Sequence, residues 1–369
     1  MKHKIITFVK KETILVISLL LAAISSCFVF PDKEYLSYID WHTLMLLFSL
    51  MAVMAGYQKL GLFKVVGANL LSRTKHTKQL SLILVFLPFF FSMLITNDVA
   101  LITFVPFAII VLRMAKLEHR IVPIVILQTI AANLGSMLTP MGNPQNLYLY
   151  AQSHMGIGDF LLLMLPYTVV AAICLLIACL FGKKEELGKI TFENDATLSI
   201  IPSLSYGILF FLCLLCVADI VDVKIVLICI VVYLFLFDRS IYSRIDYSLL
   251  GTFIGFFIFI GNMERISAFR SFIEHIVSGH EVIVSILSSQ IISNVPSALL
   301  LSGFTSNFKA LIIGTNLGGL GTLIASMASL ISYKQIAREY PDDRGCYLRF
   351  FSIANLLMLA LLLGLMLLL

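Results

Sequence analysis

A short polar turn at 95–98 separates two apolar stretches, 80–94 and 99–111. Inside a hydrocarbon layer the amide of Asn97 and the carboxyl group of Asp98 lose their hydration, so such residues at membrane depth usually belong to a functional site. Each flank has about 15 residues or fewer, whereas a helix that crosses a membrane needs ~20 apolar residues. The pattern therefore predicts a re-entrant helical hairpin whose tip contributes to a binding site.

The composition of the whole chain is typical of a membrane protein. Of its 369 residues, 60% are hydrophobic and 13% are charged, whereas about 25% of the residues of a soluble domain are charged. Mean hydropathy is +1.00. These values predict an all-α polytopic membrane protein in contact with the lipid bilayer. The net charge of +5 is modest, and no nucleic-acid partner is predicted.

The spacing of the cysteine and histidine residues does not predict a cofactor. Cys213 and Cys216 form a Cys-x-x-Cys pair without a second pair or a nearby histidine, so buried thiols that act as small hydrophobic residues are favoured over a redox or metal role. The chain begins with basic residues before the apolar run 13–30, and 24–27 weakly resembles a lipoprotein cleavage site. Because this run continues past Cys27 and has spanning length, an uncleaved first span is predicted.

The second half of the chain repeats the order of the first. A hairpin at 282–304 has Ser293 and Asn294 at its tip, as the hairpin at 80–111 has Thr96 and Asn97. Short, glycine-interrupted segments at corresponding places in two halves indicate the binding site of a transporter. Broken helices are predicted at 121–150 and 308–331, with matching Asn-Leu-Gly at 133–135 and 316–318. The other predicted elements are spans at 41–56, 159–181, 204–218, 223–237, 249–261 and 347–369 and interfacial helices at 57–79 and 266–277.

Most of the 26 Lys and Arg residues fall in segments that this scheme places on one side of the membrane. The positive-inside rule makes that side cytoplasmic. The amino terminus is then cytoplasmic, the carboxyl terminus lies outside, and the two hairpins enter from opposite sides, so the repeats have inverted topology. The predicted units are a first repeat 1–198, a connecting span 199–221 and a second repeat 222–369. The basic segments are 1–11, 57–120, 182–198, 238–246 and 334–349.

These motifs resemble those of the ion-transporter superfamily, which contains divalent-anion/sodium symporters, citrate permeases, arsenite permeases and a class of sodium/proton antiporters. The resemblance covers nearly the whole chain and implies a homodimer in the cell membrane that works by elevator-type alternating access. In the divalent-anion branch both tips read Ser-Asn-Thr and touch sodium and substrate carboxylates, whereas this chain has Asp98 and Val295 in place of the two threonines. The motifs are 96–98, 135–146, 293–294 and 316–322.

The amino-terminal ends of half-helices suit an anion, while freed carbonyl and hydroxyl groups suit a cation such as Na⁺. The alternative for each polar residue is a structural role, in which it satisfies the backbone of a broken helix. Asp98 is the strongest single prediction, since it either exchanges a proton or coordinates Na⁺, and its alternative is a helix cap. Residues predicted to bind substrate are Thr96, Asn97, Thr139, Asn143, Ser293, Asn294 and Thr322. Residues predicted to couple the ion are Asn97, Asp98, Asn133, Gly135, Asn294, Asn316 and Gly318.

The predicted function is secondary active transport of a small anion, most simply a di- or tricarboxylate, coupled to Na⁺ or H⁺. An arsenite-type permease or a Na⁺/H⁺ antiporter is the close alternative, and a channel is less favoured because opposed hairpins suit alternating access. An intramembrane enzyme would need a nucleophile–base pair or a metal set, and Asp98 is the only carboxylate predicted at depth, with no histidine beside it. No nucleotide-binding loop occurs in the chain, although a partner ATPase remains open.

Overall fold

The computed structural model describes residues 12–71, 74–181, 184–187 and 199–369. Within these ranges the regular elements are helical, apart from one isolated bridge between His76 and Glu186. The prediction of an all-α polytopic membrane protein is therefore confirmed. The predicted basic segment 1–11, most of the loop 182–198 and two residues of the predicted interfacial helix 57–79 lie outside the described residues.

The helices follow the predicted order with shifted ends. They are α1 (Thr13–Ser25), α2 (Tyr35–Tyr38), α3 (Trp41–Lys59), α4 (Leu62–Leu71), α5 (Thr77–Phe91), α6 (Asn97–Met114), α7 (Ile121–Ser136), α8 (Pro144–Ser153), α9 (Ile157–Leu180), α10 (Ile200–Val217), α11 (Val223–Phe237), α12 (Tyr247–Glu264), α13 (Ser267–Val277), α14 (Glu281–Ile292), α15 (Asn294–Ser302), α16 (Phe308–Leu317), α17 (Met327–Glu339) and α18 (Arg344–Leu368). Short 3₁₀ turns lie at Glu118–Arg120, Pro140–Gly142, Arg239–Arg244 and Pro341–Asp343.

Five helices of the described ranges are long and apolar enough to cross a membrane, or up to seven if each bent pair is one span. The bent pairs are α3 with α4, at 52°, and α13 with α14, at 110°. Two predicted elements differ from the structure. The first span was predicted at 13–30, but α1 ends at Ser25, and the predicted interfacial helix 57–79 is divided among the end of α3, the whole of α4 and the start of α5.

Both predicted hairpins are helix–turn–helix units in the structure, but the first turn is shifted to residues 92–96 and the second is shorter than predicted. Asn97 and Asp98 lie in the first turn of α6, because the Asn97 side chain accepts a hydrogen bond from the Asp98 backbone N–H (3.0 Å) and so satisfies a group that every helix start leaves free. The prediction of two short arms is wrong for α6, whose 18 residues meet the length test for a span. In the second hairpin Ser293 alone joins α14 to α15.

Both broken helices lie where glycine and proline predicted them. α7 and α8 are separated by residues 137–143, which include the turn Pro140–Gly142, and α16 and α17 are separated by residues 318–326. α5 and α6 pack on α7, and α14 and α15 pack on α16 in the same way. α8 packs against α15 and α16, while α17 packs against α6 and α7, so each repeat is completed by the second half-helix of the other. The unit boundaries at 198 and 221 remain predictions.

A polar contact at Asp238, just after α11, ties the ends of α3 and α11 together. Lys59 Nζ donates to Asp238 Oδ1 (2.7 Å), and the buried Tyr206 hydroxyl donates to Asp238 Oδ2 (3.0 Å). Partial burial raises the pKa of Asp238, but hydrogen bonds from Lys59, Ser240 and Tyr206 lower it by more, so its net pKa lies below the ordinary 3.8. The carboxylate therefore holds three segments together in its ionised form.

We expect Asp238→Asn to lower the free energy of unfolding by about 1–3 kcal/mol, because charge-assisted hydrogen bonds are lost. A carboxyl group whose pKa falls on folding stabilises the protein above its unfolded-state pKa, and this contribution disappears as pH drops through the lower folded-state pKa. Thermal unfolding from pH 7 to pH 3 should therefore show a smaller acid-dependent loss in the variant than in the wild type. Asp342→Asn, at an exposed site, is the control, and equal pH profiles for wild type and Asp238→Asn would contradict the assignment.

Candidate functional site

A buried amide, Asn133, joins three segments at the end of α7. Its Oδ1 accepts hydrogen bonds from Asn97 Nδ2 (3.0 Å) and from Ser326 Oγ (3.0 Å), and its Nδ2 donates to Ser329 Oγ (3.3 Å). Asn97 opens the second arm of the first hairpin, while Ser326 and Ser329 open α17. The first repeat is thus bonded to the second through one side chain.

A second buried amide, Asn316 at the end of α16, also bonds one repeat to the other. Its Oδ1 accepts from Asn143 Nδ2 (3.2 Å), and its Nδ2 donates to Asn146 Oδ1 (2.5 Å). Asn143 also caps α8 by accepting from the Asn146 backbone N–H (3.0 Å). Three pairs of residues in the two clusters have the same spacing along the chain: Asn133 with Asn316, Asn143 with Ser326, and Asn146 with Ser329. The two clusters are therefore equivalent parts of the two repeats.

The predicted tip residues Asn97 and Asn294 lie on one continuous path of contacts. The Asn294 backbone N–H donates to the carbonyl oxygen of Ala325 (3.0 Å), next to Ser326, which bonds to Asn133 and through it to Asn97. Both tip asparagines are buried, and each accepts from the backbone N–H of the following residue at 3.0 Å. The structure thus links the two tips through the second break.

The tips differ in backbone strain. Thr96 has φ −64° and ψ 150°, an ordinary extended conformation, whereas Ser293 has φ 77° and ψ 157°. The second conformation is populated almost only by glycine and costs a residue with a Cβ atom about 1–3 kcal/mol. The Ser293 hydroxyl makes only long hydrogen bonds, at 3.4 Å, to Asn294 Oδ1 and the Ala325 carbonyl.

Replacing Ser293 with glycine should relieve this strain, and we expect Ser293→Gly to be more stable than Ser293→Ala by about 1 kcal/mol or more. Both variants lose the hydroxyl, so the difference in stability between them reports the backbone strain alone. Thermal unfolding of the two purified variants side by side provides the measurement. The strain assignment fails if the alanine variant has the higher midpoint.

The predicted glycines lie where helices approach closely. A Cβ at Gly135 would stand 2.0 Å from the Phe89 carbonyl oxygen on α5, and one at Gly318 would stand 2.6 Å from Ser289 Oγ on α14. The predicted threonines secure the same hairpins. Thr139 Oγ1 donates to the Met93 carbonyl oxygen, and Thr322 Oγ1 donates to the Gln290 carbonyl oxygen (3.2 Å). These four residues fasten each break to its own hairpin.

Gly135→Ala should destabilise the protein by about 2 kcal/mol or more, because backbone must move to admit the methyl group. Gly364→Ala is the matched control on a helix, since a Cβ there meets no atom within 4 Å. Thermal unfolding and the monodisperse fraction after purification would report the difference. Equal stability of the two variants would show that α5 and α7 separate easily.

Thr96, Asp98 and Asn143 line a cavity of about 290 Å³ between the first hairpin and α3, which we call the central cavity. Of the other predicted site residues, Asn97, Asn133 and Asn316 form the neighbouring amide clusters, and Ser293, Asn294 and Thr322 do not line this cavity. Asp98 Oδ1 is buried and has no hydrogen-bond partner among the described residues, so the structure gives this oxygen no capping role.

Arg244 and Asp246 also line the central cavity, and sequence reasoning missed both. Asp98 is therefore not the only carboxylate that lines the central cavity, whereas the prediction that it is the only carboxylate at membrane depth stays a prediction. One signal was available: Asp246 caps α12 by accepting from the Leu249 N–H (3.0 Å), just as Asp40 caps α3 by accepting from the Thr43 N–H (3.0 Å). Within the described ranges, no group of three or more His, Cys, Asp or Glu residues is placed to hold a metal ion.

Comparison with known proteins gives consistent matches. The sequence profile of a family described as citrate transporter matches residues 5–308. An uncharacterized transporter of Methanocaldococcus jannaschii is 32% identical over 83% of this chain and 84% of its own length. The inner membrane protein YbiR of Escherichia coli is 29% identical over 90% of this chain and 89% of its own length. The silicon efflux transporter LSI3 of Oryza sativa subsp. japonica is 30% identical over 42% of this chain and 32% of its own length.

Proposed function

Because this chain belongs to the citrate transporter family, we propose that it is a secondary active transporter that moves a small anion together with Na⁺ or H⁺. Di- and tricarboxylates are the first class of anion to test. The observation that carries the proposal is the buried, unpartnered Asp98 Oδ1 beside a cavity at the start of α6. A buried carboxylate without a partner is costly, so a bound proton or Na⁺ stabilises this site.

The charges that line this cavity favour binding of the anion together with cations. The ionisable groups that line it are Asp98, Asp246 and Arg244, so negative groups outnumber positive ones when all are ionised. A di- or tricarboxylate adds further negative charge in a medium of low dielectric constant. The anion therefore enters only with cations, and the same cations neutralise Asp98.

The anion itself has donors available. α6 and α8 both begin at the central cavity, where Thr96, Asp98, Asn143 and Pro144 line the wall. Side chains already accept from one N–H of each start, Asn97 from Asp98 and Asn143 from Asn146, so each start offers an anion mainly the positive end of its helix dipole. Arg244 adds a guanidinium group suited to a carboxylate. These groups support a small carboxylate as cargo.

In this proposal the hairpins and broken helices move as one body against α3. The amide clusters of Asn133 and Asn316 lock these elements together, while the facing wall of α3 is apolar over Leu47–Met54 apart from one buried serine. This apolar stretch suits sliding, and polar contacts to the moving elements lie at the two ends of α3, where Gln152 Nε2 donates to Asp40 Oδ2 (3.0 Å) and Gln58 Nε2 donates to Thr103 Oγ1 (3.5 Å). The proposal includes the cytoplasmic amino terminus that the distribution of Lys and Arg predicts and the homodimer that the resemblance to the superfamily implies.

A second candidate is exchange of Na⁺ for H⁺, or movement of a neutral oxyacid as in an arsenite-type permease. The excess of carboxylates over guanidinium groups in the central cavity favours this reading, because a single cation or proton balances the empty site. One relative is named a silicon efflux transporter, which agrees with an uncharged or weakly acidic cargo.

Uptake of labelled citrate and succinate into proteoliposomes, under imposed Na⁺ or pH gradients, tests the proposal. We expect cation-dependent accumulation in the wild type and loss of accumulation in Asp98→Asn, because the amide binds neither a proton nor Na⁺ as the carboxylate does. Asp159→Asn is the matched control, since Asp159 lies in the first turn of α9. Unchanged accumulation in Asp98→Asn would refute the coupling role, and Na⁺-driven proton release without any anion would identify an antiporter.

A further inference from the structure

Two more cavities adjoin the central cavity. The first, of about 320 Å³, is lined by Asp40, His42, Leu147 and Asp219 among others, and we call it the Asp40 cavity. The second, of about 290 Å³, is lined by Glu12, Asp246, Leu249 and Lys334 among others, and we call it the Glu12 cavity. Leu147 lines both the Asp40 cavity and the central cavity, while Asp246 and Leu249 line both the central cavity and the Glu12 cavity.

The Asp40 cavity and the central cavity lie along α3, which lines them with Leu46 and with residues from Leu47 to Gln58 respectively, and the Glu12 cavity joins the row through Asp246 and Leu249. Asp40 caps the start of α3, and Lys59 at its end binds Asp238, a few residues before Asp246. The 19 residues of α3 extend about 28 Å, close to the thickness of a bilayer core. The Asp40 cavity and the Glu12 cavity therefore lie towards opposite ends of a membrane-length path.

The two outer members of the row are equivalent in the two repeats. Leu147 on α8 and Leu330 on α17 are the same number of positions apart as Asn133 and Asn316, and each lines one of these cavities. Each cavity lies between an aspartate that caps a long helix and the second half of a broken helix. Their borders with the central cavity differ. The Asp40 cavity shares the apolar Leu147 with it, whereas the residues that the Glu12 cavity shares with it include the carboxylate of Asp246.

We propose that Asp246 is a relay carboxylate through which the coupling cation, a proton or Na⁺, passes between Asp98 and the Glu12 cavity. The inference deepens the proposed function and rests on it. Carboxylates that line adjoining cavities of a membrane protein are candidates for ion and proton routes. The charged groups that face Asp246 are Asp98 and Arg244 in the central cavity and Glu12 and Lys334 in the Glu12 cavity.

Asp246 has two separable properties, its charge and its helix cap. Asparagine caps a helix about as well as aspartate does, whereas glutamate is a poor cap but keeps the carboxylate. A relay therefore predicts faster cation flux in Asp246→Glu than in Asp246→Asn, and a purely structural cap predicts the reverse order. The order of the two variants gives the answer even if both are less stable than the wild type.

Two measurements on the purified full-length protein test the relay. Thermal unfolding in NaCl against KCl, over a pH series, reports cation binding, and proton and ²²Na⁺ flux in proteoliposomes report passage. In Asp246→Asn we expect the cation concentration that gives half of the thermal shift to stay within about twofold of the wild-type value. Cation flux in this variant should slow about tenfold or more. Asp98→Asn should lose both. Asp222→Asn should change neither, since Asp222 caps α11 (Lys224 N–H, 2.7 Å) and lines none of the three cavities.

Two results would overturn the relay while leaving the proposed function intact: wild-type flux in Asp246→Asn, or faster flux in Asp246→Asn than in Asp246→Glu. Loss of the cation-induced shift in Asp246→Asn would also overturn it, because Asp246 would then belong to the binding site itself. A wild-type protein with neither shift nor flux would instead refute the proposed function, and the relay with it.

Discussion

The architecture depends on satisfying backbone groups where helices break at membrane depth. A broken helix frees N–H and C=O groups that lipid cannot hydrogen-bond, and each unsatisfied group costs several kcal/mol. Here Asn146 Nδ2 donates towards the carbonyl oxygens of Ser136, Met137 and Thr139, at 3.3–3.5 Å. In the second break Gln290 Nε2 donates to the carbonyl oxygens of Gly318 and Leu320, both at 2.9 Å. Side chains thus replace the water that an exposed break would bind.

Many of the polar side chains at the breaks bond to other parts of the chain. Asn133, Asn143 and Asn316 have side-chain partners in the other repeat, whereas Asp98 Oδ1 has none in the described part of the chain. Asp98 Oδ1 is one of ten buried side-chain atoms without a partner in the described residues, and of the residues that carry them Asp98 is the one that lines the central cavity. The structural reading therefore fits Asn133, Asn143 and Asn316, and under the proposed function the functional reading fits Asp98.

Sequence patterns predicted the features that depend on local chemistry. Glycine and proline placed both breaks, and the repeated Asn-Leu-Gly at 133 and 316 identified side chains that occupy equivalent positions. The length of α6 was underestimated, because Asn97 and Asp98 were treated as turn residues although a polar residue at a helix start satisfies free N–H groups. Arg244 and Asp246 were missed because their approach to Asp98 depends on a contact between distant segments, Lys59 with Asp238.

The repeats share a fold but differ at their hairpin tips and at the borders of their cavities. Thr96 has relaxed backbone geometry and Ser293 has strained geometry, although both precede a buried asparagine that bonds in the same way. Leu147 borders the Asp40 cavity, whereas Asp246 borders the Glu12 cavity. Two repeats with identical borders would present the same barrier to a cation at each end. Under the proposed relay, the carboxylate at one border lowers the barrier for a cation on that side, whereas the leucine at the other border does not, and this asymmetry gives the coupling ion a preferred route.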